Sequence, residues 1–283
     1  MTKTENKSKL FGIIGTPVEH SLSPKMHAFM AKSLDIDMSY ELFDVKPEKL
    51  HTTMENFKKT SACGFNITAP HKIEIIKELD EVLDDALCMN SVNTIVNRNG
   101  KWTGYNTDGD GFCISLLFEN CEIKDKNILI IGAGGAARGV CYKLAEYGAK
   151  SISITARTKE KIHIIGEMVK KYSDAEFYPE IDKTKKYDII INTTPLGMHP
   201  NEDKNPCDFM DIINESTVCC DLIYNPCKTV FLKESEKKNA KIINGLGMLV
   251  MQGILAFEKF HNVQLDRKKY YEELNCLLAD YKI

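Results

Sequence analysis

The sequence predicts an α/β protein containing a doubly wound, mostly parallel sheet, and three observations carry that prediction. Short apolar runs alternate with amphipathic stretches along almost the whole chain. One such run, "ILII" at 128–131, feeds into a glycine-rich turn, "GAGGAA" at 132–137, and then into a helix that opens among small residues. At 283 residues the chain is also long for a single layered core, which favours two domains.

Ahead of the glycine turn the apolar runs predict strands at 10–14, 38–45, 62–67 and 92–96. "PKMHAFMAKSL" and "PEKLHTTMENF" predict helices, because each has Pro at the first helical position and apolar residues three and four apart. "VNRNGKWTGY" predicts a hairpin turning at Asn99-Gly100. Beyond the turn, strands are expected at 151–155, 187–191 and 217–222, with helices at 136–148, 158–171 and 228–238. "GMLVMQGILAFEKF" and "RKKYYEELNCLLADY" return to helix, each patterned on one face.

Composition narrows the function classes. With 37 basic and 40 acidic side chains the net charge is −3, and no run of five like charges appears, so no nucleic-acid or membrane-surface partner is expected. The uncharged stretch Gly247 to Phe257 contains Gln252 and is too short to span a bilayer. The first twenty residues hold only a short apolar patch before Glu19, too little for a secretory signal, so the expected location is cytoplasmic. Ten cysteines are scattered without a C-x-x-C pair and read as reduced small hydrophobes, and seven histidines lack ligand spacing, so no metal is expected.

The turn itself has the layout of a dinucleotide site. Gly132 permits the tight turn, Gly134 lets backbone N–H groups approach a pyrophosphate, and Ala137 allows close packing of helix on strand. The carboxylate that would hold the adenosine ribose, about 20 residues on, is missing. The second strand ends instead in Arg157, with Thr158 next and Lys161 one turn later. These groups suit a 2′-phosphate; the bland alternative is a solvated basic helix start, although cations there oppose the helix dipole. The expected cofactor is NADP(H).

Three stretches in the first half have the character of sites. In "HSLSPKMH", Ser21 and Ser23 stand at a helix start, where hydroxyls and free N–H groups suit a carboxylate, or where Ser23 simply caps its helix. In "NITAPHK", a strand delivers Asn66 and Thr68 to its end, and Pro70 is expected to start a helix with Lys72 in its first turn. In "GYNTDGDGF", Asp108 lies at a strand-to-helix junction, as an ionised site residue or as a plain cap.

Taken with "SVNT", "GAGGAARG", "ART", "NTTPLGM", "DLIYNP" and "GLGMLVMQG", these segments resemble the shikimate dehydrogenase family in order and spacing, from Gly12 to about Ala279. The resemblance implies NADPH-dependent, reversible reduction of 3-dehydroshikimate to shikimate, on the route to aromatic amino acids. It implies that Ser21 and Ser23 bind the substrate carboxylate, that Asn66, Thr68, Asn93 and Gln252 meet ring hydroxyls, and that Lys72 and Asp108 stand at the reacting carbon. Gly132, Gly134, Gly135 and Ala136 would hold the pyrophosphate, and Arg157, Thr158 and Lys161 the 2′-phosphate. Thr193, Met198 and Gly245 would lie along the nicotinamide, and Tyr224 would close over the substrate.

The implied architecture is a substrate domain of residues 1–112 and 246–283, with a Rossmann-like nucleotide domain at 113–245 and the site in the cleft between them. Three departures from the family pattern stand out: Ala28, Asn90-Ser91 and Ala156, which bear on substrate range and cofactor grip but leave the reacting groups in place. Two alternatives remain. One is a relative that takes quinate or both acids, against which the NADP-type Arg157-Thr158 argues. The other is a non-catalytic metabolite sensor, against which the Lys72 and Asp108 pair argues. The partner is a small molecule, and a homodimer is left open.

Overall fold

The computed structural model describes residues 9–279, which form two compact units. The first takes the chain up to Thr107 together with Gly253–Tyr270, and the second takes Asp108–Gln252 together with the residues from Tyr271 onward.

The first unit is built on a six-stranded sheet. Its strands are β1 (Lys9–Gly15), β2 (Met38–Asp44), β3 (Gly64–Ile67), β4 (Glu81–Val82), β5 (Thr94–Arg98) and β6 (Lys101–Tyr105), in the order β2-β1-β3-β5-β6-β4. β1 runs parallel to both β2 and β3, whereas β5 is antiparallel to β3 and β6. The hairpin turns at Asn99-Gly100 as expected: both residues have positive φ, 55° and 88°, which is the backbone a two-residue primed turn demands. Alternation along the strands sorts side chains into two layers. Ile14, Phe65, Ile67 and Ile95 join Trp102 and the helix α2 (Leu50–Lys58) residues Leu50 and Met54 on one side. Phe11 and Val96 join Ala256 and Phe260 on the other. A side chain at Gly64 would sit 2.9 Å from the Phe260 ring, so only glycine admits that approach. Removing Phe65, which stacks on Trp102 and meets Phe43 and Phe57, is expected to cost about 3–5 kcal/mol.

Two helices of this unit depart from expectation. "PEKLHTTMENF" does not start as an α-helix: Pro47–Lys49 form a 3-10 turn, closed by the Lys49 N–H on the Lys46 carbonyl, before α2 begins at Leu50. No α-helix starts at Pro70 either. Residues 70–73 make turns and Glu74–Glu78 a 3-10 helix, because the Lys72 carbonyl accepts the Val92 N–H at 2.8 Å rather than a helical donor. The helix α1 (Ser23–Ser33) forms as predicted, as does α3 (Asp84–Met89) unpredicted. The departure at Asn90 has a local reason, since Asn90 takes the left-handed C-cap of α3, φ 47° and ψ 47°, a conformation open to Gly and Asn.

The second unit carries an all-parallel sheet of β7 (Asn127–Ile131), β8 (Ser151–Thr155), β9 (Glu176–Tyr178), β10 (Ile189–Asn192), β11 (Val218–Asp221) and β12 (Lys241–Ile243), in the order β12-β11-β10-β7-β8-β9. The order reverses between β7 and β10, so a crevice opens at their carboxyl ends, the position where doubly wound sheets bind ligands. Helices α4 (Asp108–Phe118), α5 (Gly135–Glu146), α6 (Lys159–Tyr172) and α7 (Val230–Glu236) belong to this unit. Helix α8 (Leu246–His261) passes from the second unit into the first at Gln252–Gly253, and α9 (Arg267–Ala279) divides at Tyr270–Tyr271. β7 and β10, at the centre of the sheet, are near-continuous apolar runs because both faces are covered.

Candidate functional site

In the first unit four of the predicted polar residues, Ser21, Ser23, Asn66 and Asn93, lie along one polar chain. The Ser21 hydroxyl accepts the Ser23 N–H at 3.2 Å. Ser23 is buried as the first residue of α1, whose N-cap is Leu22 with no side-chain cap bond, so the capping alternative for Ser23 is not realised. Its hydroxyl bears instead on the Tyr40 phenol. Tyr40 donates to Asn66 Oδ1 at 2.7 Å, and Asn66 Nδ2 donates to the Asn93 carbonyl at 3.3 Å and to Thr94 Oγ1 at 3.1 Å. Asn93 Oδ1 accepts the Thr107 N–H at 2.8 Å, and Asn93 Nδ2 donates to Thr107 Oγ1 at 2.9 Å. Under this chain lies His27, stacked on Tyr40 with ring centroids 4.3 Å apart and packed against Phe257 and Phe260. Burial, aided by His261, holds its imidazole neutral down to about pH 3. Thr68, which donates its N–H to the Ile14 carbonyl, and Lys72 are half-buried beyond the end of β3. With no α-helix starting at Pro70, Lys72 does not stand in the first helical turn expected for it.

In the second unit a groove of about 610 Å³ follows the carboxyl ends of β7, β8 and β10. Gly132, Gly134, Thr193, Arg157, Thr158 and Lys161 all line it. Gly132 has φ 110°, and a Cβ there would lie 2.6 Å from Thr193 Oγ1. Gly134 and Gly135 differ, since a Cβ at either would meet nothing within 4 Å. Their backbone is therefore bare toward open space at the start of α5, as an approaching pyrophosphate needs. Ala136 follows in the same first turn, and Ala137 is fully buried against the sheet. Thr158 is the N-cap of α6 yet makes no side-chain cap bond, and Arg157 and Lys161 are exposed beside it. Three groups able to bind an anion thus converge at one helix start, and the residues present fit a 2′-phosphorylated dinucleotide.

Buried side chains shape the loops around this groove. Asn192 closes β10 by accepting the Thr194 N–H at 2.9 Å and donating to the Leu196 carbonyl and to Asp221 Oδ1. Asp221 closes β11, taking bonds from the Ile223 N–H and the Thr229 hydroxyl, and burial raises its carboxyl to about 6. The segment so held carries Tyr224, whose phenol burial also pushes up in pKa. Gly245 packs against the Leu222 carbonyl, where any side chain would clash at 2.0 Å. Gln252 Nε2 donates to the Leu249 carbonyl, and Asp108 is buried as the first residue of α4. Met198 lies on the loop after β10, 43% exposed, and is not among the groove's lining residues.

Sequence reasoning missed Tyr40, which reads as an ordinary strand aromatic, and Pro206, Asp208 and Phe209, which line the groove from an irregular segment. Asp208 is the one carboxylate among the lining residues, and nothing in its spacing points to that place. All ten cysteines are unpaired, and no helix among the described residues is long and apolar enough to cross a membrane.

Known proteins resemble this chain along its length. Residues 13–95 match the family described as the shikimate dehydrogenase substrate binding domain, and residues 116–200 match shikimate / quinate 5-dehydrogenase. The shikimate dehydrogenase (NADP(+)) of Methanococcus aeolicus is 46% identical over 92% of this chain and 95% of its own. A shikimate dehydrogenase crystallised in complex with NADP+ superposes with a TM-score of 0.85 at 43% identity, covering 95% of this chain and 96% of that one. The Listeria monocytogenes shikimate 5-dehydrogenase, in complex with shikimate and NAD, gives 0.86 at 30% identity, over 97% and 99%.

Proposed function

The chain belongs to the shikimate dehydrogenase family, and from that premise we propose that it catalyses the reversible, NADPH-dependent reduction of 3-dehydroshikimate to shikimate, a step towards the aromatic amino acids. The observation that carries the cofactor assignment is the single groove in which a bare glycine turn and the Arg157, Thr158 and Lys161 cluster meet. When bound, NADPH supplies the hydride. Gly132, Gly134, Gly135 and Ala136 hold its pyrophosphate, Arg157, Thr158 and Lys161 its 2′-phosphate, and Thr193, Met198 and Gly245 border its nicotinamide.

The chain's own residues bind and protonate the substrate. Ser21 and Ser23 take the carboxylate, and Asn66, Thr68, Asn93 and Gln252 take the ring hydroxyls, with Tyr224 closing over them. Lys72 donates a proton to the carbonyl oxygen as negative charge builds there, and withdraws it from the hydroxyl in the reverse direction. Asp108 stabilises the Lys72 ammonium and so keeps the proton available. The supporting order in the first unit is the chain from Ser23 through Tyr40, Asn66 and Asn93 to Thr107, which fixes the amides before a ligand arrives.

Residues 1–112 with 246–283 are assigned to substrate and 113–245 to nucleotide, boundaries that fall a few residues from those of the compact units except at α9. The enzyme is taken to work in the cytoplasm on a small molecule, and light scattering decides whether it does so as a homodimer. Initial rates with shikimate and quinate, each with NADP and with NAD, test the whole reading. Highest kcat/KM for shikimate with NADP is expected, quinate preference would move the chain to the quinate branch of the family, and no turnover on either acid would leave only a sensor.

A further inference from the structure

Helix α4 opens with Asp108-Gly109-Asp110-Gly111, and both glycines are closed in by neighbouring helices of the same unit. A Cβ on Gly109 would lie 2.6 Å from the Gly139 carbonyl of α5 and 2.6 Å from Lys143 Cγ. A Cβ on Gly111 would lie 2.8 Å from the Gln252 backbone of α8. The first turn of α4 therefore touches α5 backbone to backbone. Beside that contact Lys143 is almost wholly buried, its side chain 5% exposed, and its ammonium lies 3.2 Å from Asp110 Oδ2 and 2.7 Å from Glu146 Oε2. Tyr147, the C-cap of α5, donates to Asp110 Oδ1 at 3.4 Å.

We propose that Lys143 is a positioning residue that locks the first turn of α4 onto α5, and so holds Asp108 in fixed register with the glycine turn at the head of α5. The physical reason is that a buried ammonium needs both carboxylates, and one of them belongs to α4. Asp110 and Glu146 are themselves partly exposed, 29% and 50%, so the cost of losing the Asp110 arm falls on the buried ammonium, and that cost ties the first turn of α4 to α5. The same helix thus carries the nucleotide turn at its N-terminus and a clamp on the proposed proton-transfer carboxylate one face away. A purely local ion pair would be satisfied by Lys143 and Glu146 on α5 alone; the Asp110 arm is what reaches α4. This inference rests on the proposed role of Asp108.

The test compares the parent enzyme with Lys143→Met, Lys143→Arg and Asp110→Asn, each assayed well below its melting temperature. Turnover of shikimate with NADP by the parent is measured first, since its absence would defeat the functional reading itself. Three quantities are then read: kcat, NADP affinity in the absence of substrate, and the pH profile of kcat. Lys143→Met is expected to lower kcat by about 10- to 100-fold, the scale of a small misplacement of a reacting group, with NADP affinity changed less than about threefold and the pH profile displaced. Lys143→Arg, which can still pair both carboxylates, should recover most of kcat. Asp110→Asn keeps the Glu146 pair and so the fold, and should show the same displaced profile; it decides the matter if Lys143→Met does not fold. Variants that melt earlier yet keep parental kcat and pH profile would overturn the proposal.

Discussion

Replacing Gly134 by Ala separates nucleotide binding from folding, in contrast to the same change at Gly132. Gly134 is the N-cap of α5 at φ −83° and ψ −171°, extended backbone that any residue adopts, and its added methyl would meet nothing within 4 Å. Two small terms of opposite sign act on stability. Alanine is a poorer N-cap than glycine by several tenths of a kcal/mol or more, and it restricts the unfolded chain by about 0.4–1 kcal/mol. Net stability should therefore change by less than about 1 kcal/mol. In the proposed complex, however, the methyl stands where the pyrophosphate would approach the backbone. Losing one hydrogen bond to a charged group costs about 1.5–3 kcal/mol, or roughly a 10- to 150-fold rise in the NADP dissociation constant. Gly132→Ala supplies the contrast. There φ is 110° and the new Cβ lies 2.6 Å from a Thr193 hydroxyl already bonded to the Ile131 carbonyl, so strain and clash together should cost about 2–3 kcal/mol of folding free energy. Urea unfolding alongside NADP titration reads both quantities. Parental NADP affinity in Gly134→Ala, or a stability loss matching that of Gly132→Ala, would refute the reasoning.

Other outcomes follow from the same geometry. Arg157→Asp should weaken NADP by about 2–4 kcal/mol while sparing NAD, through lost charge-assisted bonds and new repulsion, and equal NADP binding by variant and parent would remove Arg157 from the phosphate site. Ser21→Ala should raise the KM for shikimate by an amount worth about 1.5–3 kcal/mol with NADP affinity unchanged; a lowered melting temperature with constant KM would make Ser21 structural. His27 gives a pH signature: its folded pKa is lowered to about 3 from 6.5, so the unfolded chain binds the extra proton between those values. Its contribution is complete above pH 6.5 and falls by about 1.4 kcal/mol per unit as the pH drops toward 3. Chemical unfolding of His27→Phe should show a shallower loss between pH 6 and 4, and an unchanged slope would count against a neutral buried imidazole. Asp221 acts in the opposite sense, since a raised carboxyl gains stability as pH falls through about 6, and comparison of variant with parent separates the two.

What was legible in the sequence had a local physical cause. The glycine turn after β7 and the Asn99-Gly100 hairpin are each set by backbone geometry within a few residues. α8 forms where its apolar run predicts a helix, but the expected single face is not what is observed, since residues 253–258 are buried on every side. β4, β9 and β12 escaped because they are two or three residues long, carry charged residues at their starts or ends, and exist through pairing with β6, β8 and β11. The missing helix at Pro70 has a distant cause, for the carbonyl that an α-helix would use is taken by Val92, twenty residues on. Of the candidate site, the residues in motifs were legible as candidates, whereas Tyr40 and Asp208 were not, because what places them is a hydrogen bond to Asn66 in one case and an irregular loop in the other. The clamp at Lys143 was likewise hidden: a lysine in a helix reads as solvated, and only the fold shows it buried between Asp110 and Glu146.

The most direct test of the proposed chemistry is the turnover of Lys72→Met with shikimate and NADP, measured beside its NADP affinity and melting curve. The substitution keeps the length of the side chain and removes the proton. The expected result is a fall in kcat of about 10²–10⁴-fold, the usual scale for a positioned acid or base, with folding and NADP binding near those of the parent. Near-normal turnover in a folded, NADP-binding Lys72→Met enzyme would contradict the assignment of proton transfer to Lys72.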